Sequence, residues 1–401
     1  MSPKKNVTLL CSTLLLSSVL VSPTMAAPNE QRAAAQSQEY ATSGFISHAE
    51  LSKRLKQIDK NSQGQVNVEV AGYSNQGREI YKATVGSGEK VILLQSEIHG
   101  NEKTGTAALL KMLQHLGSNS PEAKKIRSEV TIVAMPMINP DATELNRRGN
   151  DMSWSEVVED FPQLASASPS WNYYTYTNQY WDYASNPGFD VNRDFNPNLD
   201  YVPQPEDFPN NSSNPGWYIT PEAQTVRDVY KGLMDEFGKV DVFVDLHHQG
   251  EYYVEGTDDK VTLSISGDFI PDPDSTEGTK YSEYADTYNG EFSKQLNVAA
   301  YNALQERGNS PFDHITLYPQ NLDLPGTALG SFALNGSGAV LFEVTGQTQS
   351  YGQKRIGQLV KAVELGLYGI IDGVTSGDVY SIDPEDYDDI PLTDRDQDYG
   401  H

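Results

Sequence analysis

The feature that most constrains this chain is a series of short, mostly apolar runs set between longer stretches with helical spacing. Residues 91–94, 130–137, 240–246 and 340–344 are such runs. They are too short for helices and rich in Val, Ile and Leu, as strands buried on both faces require. Residues 104–116 carry Leu109, Met112, Leu113 and Leu116 on one face, and residues 351–371 carry Ile356, Leu359, Val363, Leu367 and Ile370. Residues 46–58, 222–237 and 281–307 also read as helices, and 66–70 and 79–84 as strands. This alternation predicts an α/β fold: a single domain with a central mixed, mostly parallel sheet flanked by helices. Two segments stand outside the pattern. Residues 151–220 are rich in Asn, Pro, Ser and aromatics, and residues 376–401 are acidic.

In open α/β sheets, ligands bind beyond the carboxyl ends of the strands, and two of the apolar runs end in histidine. Ser-Glu-Ile-His-Gly-Asn-Glu, residues 96–102, follows one strand and precedes a helix. His99 and Glu102 lie three apart, so both can reach one ion where the chain turns into the helix. Alone, a His-x-x-Glu pair is more often an ordinary loop. Val-Asp-Val-Phe-Val-Asp-Leu-His-His-Gln-Gly, residues 240–250, is a second strand ending in histidine. Strand alternation puts Asp241, Phe243, Asp245 and His247 on one face and His248 elsewhere. Two histidines and a carboxylate with an open fourth position make a catalytic zinc site, so His99, Glu102 and His247 are the expected ligands of one zinc ion per chain. The remaining histidines, His48, His115, His314 and His401, have no such context.

The ordered motifs His-Gly-Asn-Glu, Asn-Pro-Asp at 139–141, Asp-Val-Asn-Arg-Asp at 190–194, Asp-Leu-His at 245–247 and Phe-Glu-Val at 342–344 resemble the zinc carboxypeptidases of the carboxypeptidase A type, from residue 40 to residue 371. The resemblance implies hydrolysis of the C-terminal peptide bond of a peptide with a free terminal carboxylate. Glu343 matches the glutamate that acts as general base on a zinc-activated water. Asn192 and Arg193 match the pair that grips the terminal carboxylate, and Asp190 the residue that orients the first histidine. Arg148 matches the arginine that stabilises the oxyanion, with Arg147 the competing assignment. Tyr318 stands nearest to the family's active-site tyrosine, without a motif to fix it. The segment 151–189 is longer than the family leads one to expect. It reads either as a packed surface loop or as a wall over the substrate.

Lys4 and Lys5, an apolar stretch and Ser-Pro-Thr-Met-Ala-Ala give residues 1–26 the layout of a secretory signal peptide. Export to the periplasm or beyond is therefore expected, as is loss of Cys11, the only cysteine. A catalytic domain over 40–375 and a solvated acidic tail over 376–401 complete the expected layout. The net charge of −26 argues against nucleic acid and anionic lipid as partners, and no segment after the leader has the length for stable membrane insertion. The sequence leaves the oligomeric state open. Two other readings share the motifs: an N-acyl-amino-acid deacylase of the aspartoacylase or succinylglutamate desuccinylase type, and an inactive peptide-binding protein on the same scaffold. For the terminal residue, the uncharged Thr327, Ala328 and Leu329 favour apolar or aromatic side chains. An inward-turned Asp323 would favour basic ones.

Overall fold

A computed structural model describes residues 44–178, 181–306, 314–346 and 353–395. The expected leader over 1–26, Cys11, Tyr180 and His401 lie outside them. The helices are α1 (His48–Asn61), α2 (Thr104–Leu116), α3 (Pro121–Glu129), α4 (Pro140–Leu145), α5 (Trp154–Asp160), α6 (Pro221–Phe237), α7 (Gly290–Gln305), α8 (Ala328–Leu334) and α9 (Gln353–Ser376). The main sheet comprises β1 (Val66–Tyr73), β2 (Glu79–Gly86), β3 (Lys90–Ser96), β4 (Val130–Met135), β5 (Val242–Gln249), β6 (Leu263–Ser266), β7 (Ile315–Leu317) and β8 (Gly338–Thr345). Their order across the sheet is β1-β2-β4-β3-β5-β8-β6-β7. The pairs β4/β3, β3/β5, β5/β8 and β6/β7 are parallel, and β1/β2, β2/β4 and β8/β6 antiparallel. The sheet is mixed and mostly parallel, as expected.

The central strands are apolar because both faces are covered. On β3, Ile92 and Leu94 pack into one core with α2, α7 and α9, whereas Val91 and Leu93 join a second core with α6 and α8. On β5, Val242, Val244 and Leu246 face the first core and Phe243 the second. Asp245 and His247 therefore continue the Phe243 face, as Glu343 continues that of Ala339 and Leu341 on β8. The site is the polar end of one otherwise apolar layer.

One expectation needs correction, and two short helices were not foreseen. Within 281–307 the described residues are largely helical, as expected, divided between a 3-10 turn over Thr279–Tyr284 and α7. The short helices α3 and α8 have no long apolar periodicity to reveal them; each starts at a polar cap, Ser120 and Thr327 respectively. The solvated tail does not hold for residues 378–395: Val379, Tyr387 and Ile390 are buried, and Thr393–Asp394 pairs with Tyr253–Val254. Apolar residues spaced through an acidic sequence suffice to dock it.

Candidate metal centre and active site

β3 and β5 lie side by side and parallel, and the chain leaves their carboxyl ends in opposite directions across the sheet. The crevice at such a switch point is where the site forms. Directly after β3, Glu97 adopts a left-handed conformation with φ 55°. It is fully buried and accepts hydrogen bonds from the hydroxyls of Thr106 and Thr143. Ile138 N–H donates to the Ser96 carbonyl at 3.1 Å, Asn139 N–H to that of Glu97 at 3.1 Å, and Asn139 Nδ2 to that of Ile98 at 2.9 Å. These bonds fix the turn that delivers His99 and Glu102. Gly100 completes it, because a Cβ there would overlap the backbone of Ala142 and Thr143 in α4.

His99 Nδ1, Glu102 and His247 Nδ1 converge. Glu102 Oε1 lies 3.1 Å from His99 Nδ1, Glu102 Oε2 lies 2.8 Å from His247 Nδ1, and the two Nδ1 atoms are 3.2 Å apart. Ligand atoms about 2.1 Å from a shared tetrahedral ion stand roughly 3.4 Å from one another, close to these separations. All three side chains are buried. His99 Nε2 lies 3.2 Å from Asp190 Oδ1, and His247 Nε2 lies 2.9 Å from Asp245 Oδ2. Asp190 holds the His99 ring proton on Nε2, and the negative charge of Asp245 beside His247 favours the same tautomer, so the Nδ1 lone pairs face each other. Two facing lone pairs need a cation between them, so the donor set fits zinc. His248 points away: its Nε2 accepts from the Thr104 N–H at the start of α2, at 2.9 Å, and burial pushes its pKa down to about 4.

The other expected residues gather around this cluster. Arg148 Nε donates to Asp190 Oδ2 at 2.9 Å, and its Nη1 lies 3.3 Å from His99 Nδ1. Burial alone would raise the Asp190 carboxyl, but Arg148 and His99 hold it well below its usual range. Arg147 is turned away, bound to the carbonyls of Gly149, Asn150 and Asn186 and stacked on Tyr183. Asn192 Oδ1 accepts from the Ala328 N–H at 3.0 Å, and its Nδ2 lies 3.3 Å from His247 Nε2. Arg193 Nη1 donates to the Asn192 carbonyl at 2.6 Å, while its buried Nε has no partner. Glu343 is 9 % exposed, and its Oε2 has no hydrogen-bond partner. Burial pushes its carboxyl up, with Glu102 adding and His247 opposing. Tyr318 follows β7, and its hydroxyl is also pushed up by burial and by Glu343.

These groups open on a cavity of about 450 Å³. Its wall includes Phe269, Leu324, Thr327, Leu329 and Leu341. Asp323 is not part of it. That carboxylate is bound by Lys280 Nζ at 2.5 Å and Tyr281 Oη at 2.7 Å. Of the aromatic segment 151–189, Trp181 reaches the cavity. Trp154, Phe161, Tyr173 and Phe189 pack with Trp217 in a separate small core. Sequence reasoning missed Arg395, which lines the cavity from the segment after α9. It is the only lysine or arginine after Lys361, a faint cue in an acidic run.

Residues 51–366 match the family model described as zinc carboxypeptidase, and the chain belongs to that family. The cluster of His99, Glu102 and His247 makes it a zinc-dependent carboxypeptidase-type hydrolase. Among solved structures, thrombin-activatable fibrinolysis inhibitor is 13% identical over 83% of this chain and 78% of its own, with a TM-score of 0.53. The bovine form in complex with a tick carboxypeptidase inhibitor is 13% identical over 83% of this chain and 98% of its own, with a TM-score of 0.50. A metallo-carboxypeptidase from Burkholderia cenocepacia is 17% identical, over 81% of this chain and 69% of its own, with a TM-score of 0.49. At these identities the likeness is one of fold.

Proposed function

We propose that the protein removes single residues from the C-terminal end of peptides, with Glu343 as general base and Arg193 as the group that receives the terminal carboxylate. The observation that carries this reading is the placement of an unpartnered carboxylate oxygen and an unpartnered guanidinium N–H in the cavity that holds the three metal-binding side chains. A bound zinc ion supplies Lewis acidity, polarising a carbonyl and acidifying water. Glu343, raised by burial, takes the proton from the attacking water and passes it to the leaving amine. The planar guanidinium of Arg193 suits a carboxylate, with the Asn192 carbonyl holding one of its nitrogens in place. Arg148, beside His99, stands where negative charge on the attacked carbonyl oxygen is stabilised, an effect worth about 3 kcal/mol per donor. Tyr318 lines the same cavity. The wall of Phe269, Leu324, Leu329 and Leu341 favours an apolar or aromatic terminal side chain, and the pairing of Asp323 with Lys280 removes the argument for a basic one.

Residues 1–26 direct export in this reading, to the periplasm or beyond; the basic start followed by an apolar stretch supports it. The charge of −26 disfavours nucleic acid as a partner, and among the described residues no helix is long and apolar enough to cross a membrane. The test of the assignment is Glu343→Gln. It should retain zinc near the parent's stoichiometry and lose turnover of a blocked dipeptide by ~10²-fold or more. Near-normal turnover would remove Glu343 from the role of base.

A further inference from the structure

Three guanidinium groups reach the cavity: those of Arg148, Arg193 and Arg395. Arg148 is neutralised by Asp190 and lies 3.8 Å from Glu102. Arg193 is taken by the terminal carboxylate in the reading above. Arg395 is left over. Its guanidinium lies 4.5 Å from the Tyr252 ring centroid and 4.8 Å from that of Tyr318. Its Nη2 donates to Tyr252 Oη at 3.0 Å. Among the described residues no carboxylate forms an ion pair with it, although its charge acts on Glu343 and the chain has 55 acidic residues against 29 basic ones. The Tyr252 and Tyr318 hydroxyls engage part of its edge, and a planar guanidinium carries five N–H donors, enough to bind a carboxylate as well.

The chain leading to it, residues 391–393, is held from several sides. Leu317 N–H donates to the Pro391 carbonyl at 2.8 Å, Glu255 N–H donates to the Leu392 carbonyl at 2.9 Å, and Thr393 Oγ1 donates to the Leu317 carbonyl at 2.6 Å. Arg395 is thus placed by β7 and by the loop after His247, the same two segments that carry Tyr318 and Tyr252. In the reading above, the apolar wall of Phe269, Leu324 and Leu341 takes the terminal side chain. The Tyr252–Arg395–Tyr318 wall remains for what precedes the scissile bond.

We propose that Arg395 is a specificity-determining residue that selects peptides with an acidic side chain immediately before the scissile bond. This rests on the carboxypeptidase reading. The test compares benzyloxycarbonyl-Glu-Phe with benzyloxycarbonyl-Gln-Phe on the zinc-loaded full chain and on its Arg395→Gln and Arg395→Lys forms. The parent should favour the Glu substrate, and Arg395→Gln should lower the Glu-to-Gln ratio of kcat/KM by ~10-fold, mainly through KM, as expected for one lost charge-assisted contact. Arg395→Lys should restore part of the ratio. Calorimetric binding of the same two peptides to Glu343→Gln, with and without Arg395→Gln, reads the contact without turnover. An unchanged ratio in both measurements overturns the proposal, as does an effect on a terminal Glu in place of the penultimate one. If the parent releases phenylalanine from neither peptide, the carboxypeptidase reading falls, and the binding comparison alone decides whether Arg395 recognises the acid.

Discussion

His247 and His248 are neighbours on one strand and face opposite sides of the sheet, so they do different work. His247 joins His99 and Glu102, and His248 closes the first turn of α2 through Thr104. His247→Ala should lose zinc, measured by elemental analysis after dialysis. His248→Ala should keep zinc and cost about 1 kcal/mol of stability, because it leaves one helix N–H without its acceptor. The reverse pattern would mean that the wrong histidine has been assigned to the metal. Arg193→Ala should weaken the preference for a free over an amidated C-terminus, by ~10-fold or more in kcat/KM. These residues were legible in the sequence because each stands at the end of an apolar run or inside a compact motif. Asp245 was placed on the correct face by alternation alone, but its contact with His247 Nε2 was not foreseen. Arg148 was preferred over Arg147 on the resemblance alone; the physical reason, the contacts with Asp190 and Tyr183, comes from a distant segment.

At the scale of elements, the metal ligands depend on how tightly the turn after β3 nests against α4. Gly100 is the point of contact. Gly100→Ala should push the turn off α4, destabilise the fold by about 1–3 kcal/mol and weaken zinc binding. Gly232 gives the control. It sits in the interior of α6 with open space where a Cβ would stand, so Gly232→Ala should stabilise by about 0.5–1 kcal/mol and leave zinc unaffected. Thermal melts with metal analysis check both; equal effects from the two substitutions would show that the close approach of Gly100 to α4 is unimportant. The long elements were readable from periodicity, since α2 and the central strands bury one face or both. β6 and β7 were not, because runs of three or four residues carry too little pattern to separate from loop. The aromatic segment 151–189 could not be resolved into wall or packing from composition. Its rings divide between the two, Trp181 facing the cavity and Trp154 the small core.

Across the whole molecule, the sheet order and the switch point between β3 and β5 bring together residues more than two hundred positions apart in sequence, such as His99 and Glu343. The alternation of strands and helices foretold such a sheet, and the ordered motifs foretold its site. The return of residues 378–395 to the cavity was hidden, because its docking rests on Val379, Tyr387 and Ile390 scattered among acids, and on partners far back in the chain. The central claim is that this assembly trims peptides from a free C-terminus with zinc. A mixture of synthetic peptides, each made with a free and an amidated C-terminus, should be digested with the zinc-loaded protein and read by mass spectrometry. The account predicts losses of single terminal residues from the free forms, chiefly apolar or aromatic ones, abolished by chelation and restored by zinc. Internal cleavage, equal trimming of the amidated forms, or undiminished activity after verified metal removal would contradict it.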